Sequence, residues 1–278
     1  MFNIGIRAHD IENTTIEDLA DKIAEKDIQY IQLALLRSVK DYEVTTRNMN
    51  IGMARDIGNA FRNQNINIAV LGCYINMIHP DLDERRKALD FFKAHIRYAK
   101  AFGALTVGSE TGAATPEVQY TEKNFEEEAF NNAVESVKEL VKEAEKHGVI
   151  VTIEGGINHP IYAPIMMKKL IDEVNSDNMQ IILDVVNYLF PDNASVETQH
   201  EIIDEAFDLF GDKITVIHAK DFVIKDKEKQ IVPVGQGEMD YEYLMTKIKN
   251  EKPGIPILLE ETQEPHIDGA INFLNKFY

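Results

Sequence analysis

The chain has 278 residues, 44% of them hydrophobic and 27% charged, and a formal net charge of −18. That acidity repels phosphate backbones and argues against a nucleic-acid partner, and no apolar run approaches the roughly 20 residues a membrane helix needs. The single cysteine, Cys73, excludes an internal disulfide or a cysteine-rich metal site, and within "IAVLGCY" it reads as a small core residue.

"MFNIGIRAHD" runs straight into a strand without a basic region or apolar leader, which with the reduced cysteine predicts a cytoplasmic protein. In chain order, short apolar runs mark strands at "FNIGIR" (2–7), "IQYIQLAL" (28–35), "INIAVLG" (66–72) and "ALTVGSE" (104–110). They continue at "VIVTIE" (149–154), "MQIILD" (179–184), "ITVIH" (214–218) and "IPILLE" (255–260). Between them lie stretches with apolar residues three and four apart, such as "FNNAVESVKELVKEAEKHG", which predict helices. "TTIED" supplies an N-cap with an acidic first turn, and "KHG" and "KNEKPG" are helix stops.

Strands buried on both faces and alternating with helices imply a parallel sheet. Eight such units in a chain of this length predict a single (β/α)8 TIM barrel over residues 1–278. An open doubly wound sheet would carry a glycine-rich phosphate turn after its first strand, and "GIRAHD" is not one. The later "GQG" (235–237) follows a polar, hairpin-like stretch and reads as a tight loop.

In a barrel of this kind the chemistry sits at the C-terminal ends of the strands. Those ends carry Glu154 in "VTIEGG", Asp184 in "IILDVVN", His218 in "VIHAKD" and Glu260 in "ILLEET". They close strands five to eight and so are consecutive around half the rim. Converging carboxylates repel one another unless a cation lies between them, and three carboxylates with one imidazole suit a divalent metal. Alternation sends Glu260 and Glu261 to opposite faces. One therefore reaches the metal, while the other faces the helix layer or caps the segment near "TQEPH".

A second set at the rim has side chains able to hydrogen-bond a substrate, or equally to cap and pack loops. It comprises Arg7 and His9 after strand one, Gln32 on strand two, and Tyr74, Asn76 and His79 after strand three. Glu110 closes strand four, Asn158 and His159 follow strand five, and Asn187 follows Asp184. Lys220 and Asp221 are placed to orient His218 or the substrate. His95, His147, His200 and His266 fall in helices or at their ends and read as surface or capping residues.

The series "TIEGG", "LDVVNYL", "IHAKDF", "VGQGEMDYEYL" and "ILLEE" resembles the xylose isomerase-like TIM-barrel superfamily of sugar isomerases and epimerases. The resemblance extends over nearly the whole chain, including "YIQLAL", "LGCYINMIHP" and "AFGALTVGSETG". It implies one divalent metal ion held by Glu154, Asp184, His218 and Glu260, with Mn²⁺ favoured among Zn²⁺, Co²⁺, Mg²⁺ and Fe²⁺. It further implies that Glu154 and Glu260 exchange a proton α to a carbonyl of a small sugar or polyol, through a cis-enediolate. No Arg and Lys cluster at the strand ends announces a phosphate, so a free sugar is favoured. Dehydration of an inosose, or metal or sugar binding without catalysis, are the alternatives within the superfamily.

Apurinic endonucleases share the fold, but this chain has Asn187 where they place a histidine and lacks their Asp-x-His motif after strand seven. Similar proteins are often dimers or tetramers, which allows a homo-oligomer, though no interface can be read from the sequence.

Overall fold

Period-two alternation in short strands decides which side chains enter the interior of a barrel and which face its helices. A computed structural model describes residues 1–278. Its barrel strands are β1 (Asn3–Arg7), β2 (Tyr30–Ala34), β3 (Asn67–Gly72), β4 (Ala104–Glu110), β5 (Ile150–Glu154), β6 (Met179–Leu183), β7 (Ile214–Ala219) and β10 (Pro256–Leu259). They close in the order β1-β10-β7-β6-β5-β4-β3-β2, every pair parallel. This is the predicted (β/α)8 barrel, with several strands shorter than the apolar runs that marked them. Asp184 and Glu260 stand one residue beyond their strands, whereas His218 is the penultimate residue of β7.

The polar stretch before "GQG" forms an antiparallel hairpin, β8 (Asp221–Lys225) and β9 (Glu228–Val232), outside the barrel. Between the strands run the helices, α2 (Leu35–Ser38), α3 (Ile51–Asn63), α6 (Pro164–Val174) and α8 (Tyr241–Glu251) included. Among them, α1 (Ile16–Ala24) is capped by Thr15, whose hydroxyl accepts the Asp18 N–H. The 21-residue helices α4 (Leu82–Phe102) and α5 (Glu127–His147) both end on a left-handed glycine, Gly103 and Gly148. No helix is long and apolar enough to cross a membrane.

The apolar core has two parts. A large cluster joins the outward faces of the strands to the helices. A small separate one, Ala69, Val70, Ile182, Val216 and Leu258, fills the barrel interior, where the Thr152 hydroxyl donates to that of Thr106 at 3.3 Å. Two residues beyond Thr152, Ile182, Val216 and Leu258 come Glu154, Asp184, His218 and Glu260. Alternation therefore stacks these four polar groups on an apolar plug.

The helix histidines divide. His147 ends α5, His266 precedes α9 (Ile267–Asn275), and His200, on α7 (Val196–Phe210), stacks on Tyr243 with its Nε2 2.7 Å from Asp240. His95 departs from expectation. It is 1% exposed within α4, packs edge-on against Phe91, and its Nδ1–H donates to the Phe91 carbonyl at 3.0 Å. The core beneath the helix, not the helix surface, takes this ring.

Burial lowers the His95 pKa to about 4 from 6.5. The unfolded chain binds that proton more readily, so this contribution to stability is complete above about pH 6.5 and is lost as pH falls toward 4. The loss amounts to about 3 kcal/mol. Urea unfolding between pH 7 and 4 should accordingly show a drop in stability smaller by about this amount in His95→Leu than in the parent protein.

Candidate metal centre and cavity

The four strand-end groups meet. One ligand atom from each of Glu154, Asp184, His218 and Glu260 lies within 4.8 Å of the others, and Glu154, Asp184 and His218 are buried. His218 Nδ1 is 3.2 Å from Glu154 Oε1 and 2.8 Å from Glu260 Oε2. Its other nitrogen, Nε2, donates to Gln32 Oε1 at 3.0 Å. That bond orients the ring and turns Nδ1 toward the acids.

Of the three carboxylates, Glu260 keeps its fixed partners on one oxygen, whereas Glu154 and Asp184 have a neighbour on both. Glu260 Oε1 accepts Arg7 Nη1 at 2.9 Å and lies 3.0 Å from Lys220 Nζ, which leaves Oε2 facing His218. Glu154 Oε1 accepts Asn187 Nδ2 at 2.8 Å, and its Oε2 accepts the Tyr74 hydroxyl at 3.2 Å. Asp184 Oδ1 accepts the Asn187 amide at 3.1 Å, with Oδ2 3.0 Å from Lys220. Asp184 Oδ2 and Glu260 Oε2 are buried and lack an aligned hydrogen bond. Two such oxygens beside an oriented imidazole nitrogen form a donor set that fits a divalent cation.

The charges respond to this crowding. Burial pulls the His218 pKa down, but Glu154 and Glu260 outweigh it and raise the ring to about 10. Burial raises the Glu154 carboxyl above its ordinary range despite the nearby imidazole. Burial acts in the same direction on Glu260, yet Lys220, His218 and Arg7 hold it well below the ordinary value. Lys220 is itself raised against burial by Asp184 and Glu260.

Beside the cluster opens a cavity of about 440 Å³, walled by Glu110, Asn158, His159, Asn187, Lys220 and Glu261. His159 bridges the Gly112 carbonyl at 2.9 Å and Glu110 at 3.2 Å. Burial opposes a charge on this ring, but Glu110 prevails and raises its pKa. Gly155 is required by close approach, since a Cβ there would meet the Tyr188 hydroxyl at 2.3 Å. That contact seats the turn that carries Asn187.

Several expected residues lie elsewhere. His79 Nδ1 accepts the Asp81 N–H at the start of α4, and Asn76 Oδ1 accepts the amides of Ile78 and Ala113, so both organise loops. His9 lies 3.5 Å from Arg37 with its Nδ1 buried and unpartnered, and burial and Arg7 lower its pKa to about 4. Asp221 does not touch His218. Its carboxylate accepts the N–H groups of Phe222, Gly235, Gly237 and Met239, and a Cβ on Gly237 would lie 2.2 Å from it. The "GQG" loop is thus wrapped on Asp221.

Glu261 does not face the helix layer either. Strand β10 ends at Leu259; Glu260 still follows its alternation, but the left-handed backbone at Glu261 (φ 54°) breaks it and turns that side chain to the cavity wall. There it meets Arg7 Nη2 at 3.0 Å. Sequence reasoning missed Asp10, which accepts Arg7 Nε at 2.8 Å, and missed Lys229 and Ile231 of β9, which close one side of the cavity. No spacing rule ties a hairpin residue to a strand end.

Eight parallel strands with acids and a histidine gathered at one end define an α/β barrel whose site lies at its C-terminal rim. The model of the xylose isomerase-like TIM barrel family matches residues 20–277, and the chain belongs to that family. No curated protein sequence matches it. Among solved structures it is similar to D-psicose 3-epimerase with D-tagatose from Clostridium cellulolyticum H10, at TM-score 0.73 and 14% identity over 99% of this chain and 98% of that one. The probable 3-DHS dehydratase AsbF of Bacillus anthracis gives 0.73 and 14% over 99% of each chain. The IOLI protein with a binding zinc atom gives 0.70 and 19% over 99% and 95%. At these identities the likeness is one of fold.

Asp221→Ala strips the acceptor from four amides and should lower stability by at least about 2 kcal/mol in denaturant unfolding. In Mn²⁺ titration calorimetry, Gln32→Ala should weaken binding by about 10–100-fold through the freed imidazole, and His218→Ala should weaken it further. A His218→Ala protein that binds Mn²⁺ as tightly as the parent would remove His218 from the ligand set.

Proposed function

We propose that the protein is a divalent-metal-dependent isomerase or epimerase of a small sugar, with Glu154 and Glu260 exchanging a proton next to a carbonyl. The observation that carries this reading is the placement of the two glutamates. Both flank His218 Nδ1: Glu260 presents Oε2 while Arg7 holds its Oε1, and Glu154 presents Oε1, which also accepts Asn187 Nδ2, while Tyr74 holds its Oε2. The cavity beside them has the volume range of small-molecule sites.

A metal held by Glu154, Asp184, His218 and Glu260 would polarise the carbonyl and its neighbouring hydroxyl and so acidify the proton between them. One glutamate takes that proton and the other returns it, to the opposite face or to the adjacent carbon. Arg7 and Lys220 fix Glu260 and stabilise its charged form, while Tyr74 and Asn187 fix Glu154. Glu110, which stands beside Glu154 on the neighbouring strand, His159 and Asn158 present donors and acceptors to sugar hydroxyls from the cavity wall. Mn²⁺ suits a set of three carboxylates and one imidazole, and the similarity to an epimerase seen with D-tagatose supports a ketose.

A screen of ketoses in deuterated water with Mn²⁺, followed by NMR, tests the reading. Label should enter a carbon α to the carbonyl without loss of mass. Loss of water would instead make the protein a dehydratase, which begins with the same proton removal. Thermal stabilisation by sugars with no label in any of them would make it a binding protein and sink the proposal.

Glu260→Gln keeps the shape and an amide oxygen but removes the base, and should lower the exchange rate by about 10²–10⁴-fold. Glu261→Gln leaves the base in place and should change the rate by less than about tenfold, or roughly 1.4 kcal/mol. The reverse ranking would move the proton-transfer role to Glu261.

A further inference from the structure

The charged groups on the cavity wall are matched pair by pair, with one left over. Glu110 is paired with His159 at 3.2 Å, and Glu261 with Arg7 at 3.0 Å. Lys220 lies 3.0 Å from each of Asp184 and Glu260. Lys229 has no carboxylate partner. Its ammonium donates to two backbone carbonyls, Val186 at 2.7 Å and Leu189 at 2.6 Å, and the side chain lines the cavity from β9.

An ammonium has three donors, and two of these are spent on the turn that follows Asp184. The half-buried ammonium is solvated by these carbonyl dipoles and has no carboxylate within ion-pair distance, which leaves its third N–H free for an anion. Burial, helped by Lys220 and only partly opposed by the more distant Asp184, lowers the Lys229 pKa to about 8. Lys229 lines the same cavity as Asn187 and Lys220, which touch the cluster at Glu154, Asp184 and Glu260. A substrate with its carbonyl at the cluster and its body in this cavity would have Lys229 on the wall around its remaining atoms.

We propose that Lys229 binds a carboxylate at the end of the substrate remote from the reacting carbonyl, so that the substrate class is a keto sugar acid. This rests on the proton-transfer reading above and narrows its substrate. One unmatched positive charge calls for one negative charge, which a carboxylate supplies. A dianionic phosphate would want the forked donors of arginine or a second cation, and Arg7 and Lys220 are both committed to acids.

The test uses the full-length protein with Mn²⁺ and three probes: D-fructose, D-fructuronate and D-fructose 6-phosphate. Calorimetry reads affinity, and deuterium incorporation reads proton transfer. Fructuronate should bind roughly 10–100-fold more tightly than fructose, the range of a charge-assisted hydrogen bond. Lys229→Met should erase most of that preference, and Lys229→Arg should retain it. The proposal is overturned by equal affinity for fructose and fructuronate, or by tighter binding of the phosphate ester. It is equally overturned if Lys229→Met weakens both sugars alike, as a purely structural clamp would. Deuterium absent from all three probes counts against the proton-transfer reading alone, because calorimetry decides the anion preference separately.

Discussion

Three carboxylates buried at one end of a barrel are the constraint that organises this molecule. Like charges a few ångströms apart in a partly desolvated site repel by several kcal/mol unless cations intervene. The chain supplies three of them from two strand ends. Arg7 arrives from β1, Lys220 from the end of β7, and His218 from within β7. The allocation of oxygens matters as much as the charge. Arg7 and Lys220 both engage Glu260 Oε1, Asn187 and Tyr74 take Glu154, and the remaining oxygens of Asp184 and Glu260 face inward.

Beneath the cluster the barrel is apolar. Ile182, Val216 and Leu258 form a plug directly below Asp184, His218 and Glu260, so the strands present rigid stems two residues from the chemistry. Stability and function thereby occupy different layers, as is general for this architecture. The plug and the helix packing hold the barrel, while the rim can carry an electrostatic arrangement that would be costly anywhere else.

The hairpin after β7 is the most individual part of the site. Asp221 gathers four amides and ties the start of the hairpin to the "GQG" turn beyond it. The hairpin is thus held at its base, and Lys229 hangs from its second strand over the Val186–Tyr188 turn. A single acid inside a loop can in this way determine which side chain closes a cavity wall built otherwise from strand ends.

The eight-stranded barrel and the four cluster residues were legible in the sequence, because alternation and the termination of an apolar strand in a polar residue are local signals. "IILD" and "VTIE" place their acids at the rim whatever else the chain does, since a period of two is a property of the strand itself. What lay outside the strands was decided only by the tertiary structure. Asp221, adjacent to Lys220, turned out to serve a loop, and His79 and Asn76 serve turns, because the amides they accept come from segments whose position depends on folding. Glu261 escaped the alternation rule because a left-handed backbone just past β10 turns it aside. His95 went into the core because helix α4 is packed on that face, which a pattern of polar and apolar letters does not weigh for an imidazole. Lys229 reaches the cavity from 45 residues beyond Asp184 along the chain through a hairpin whose reach no spacing encodes. Local periodicity determines strands and their ends, while loop contacts form between distant segments and take their meaning from the fold.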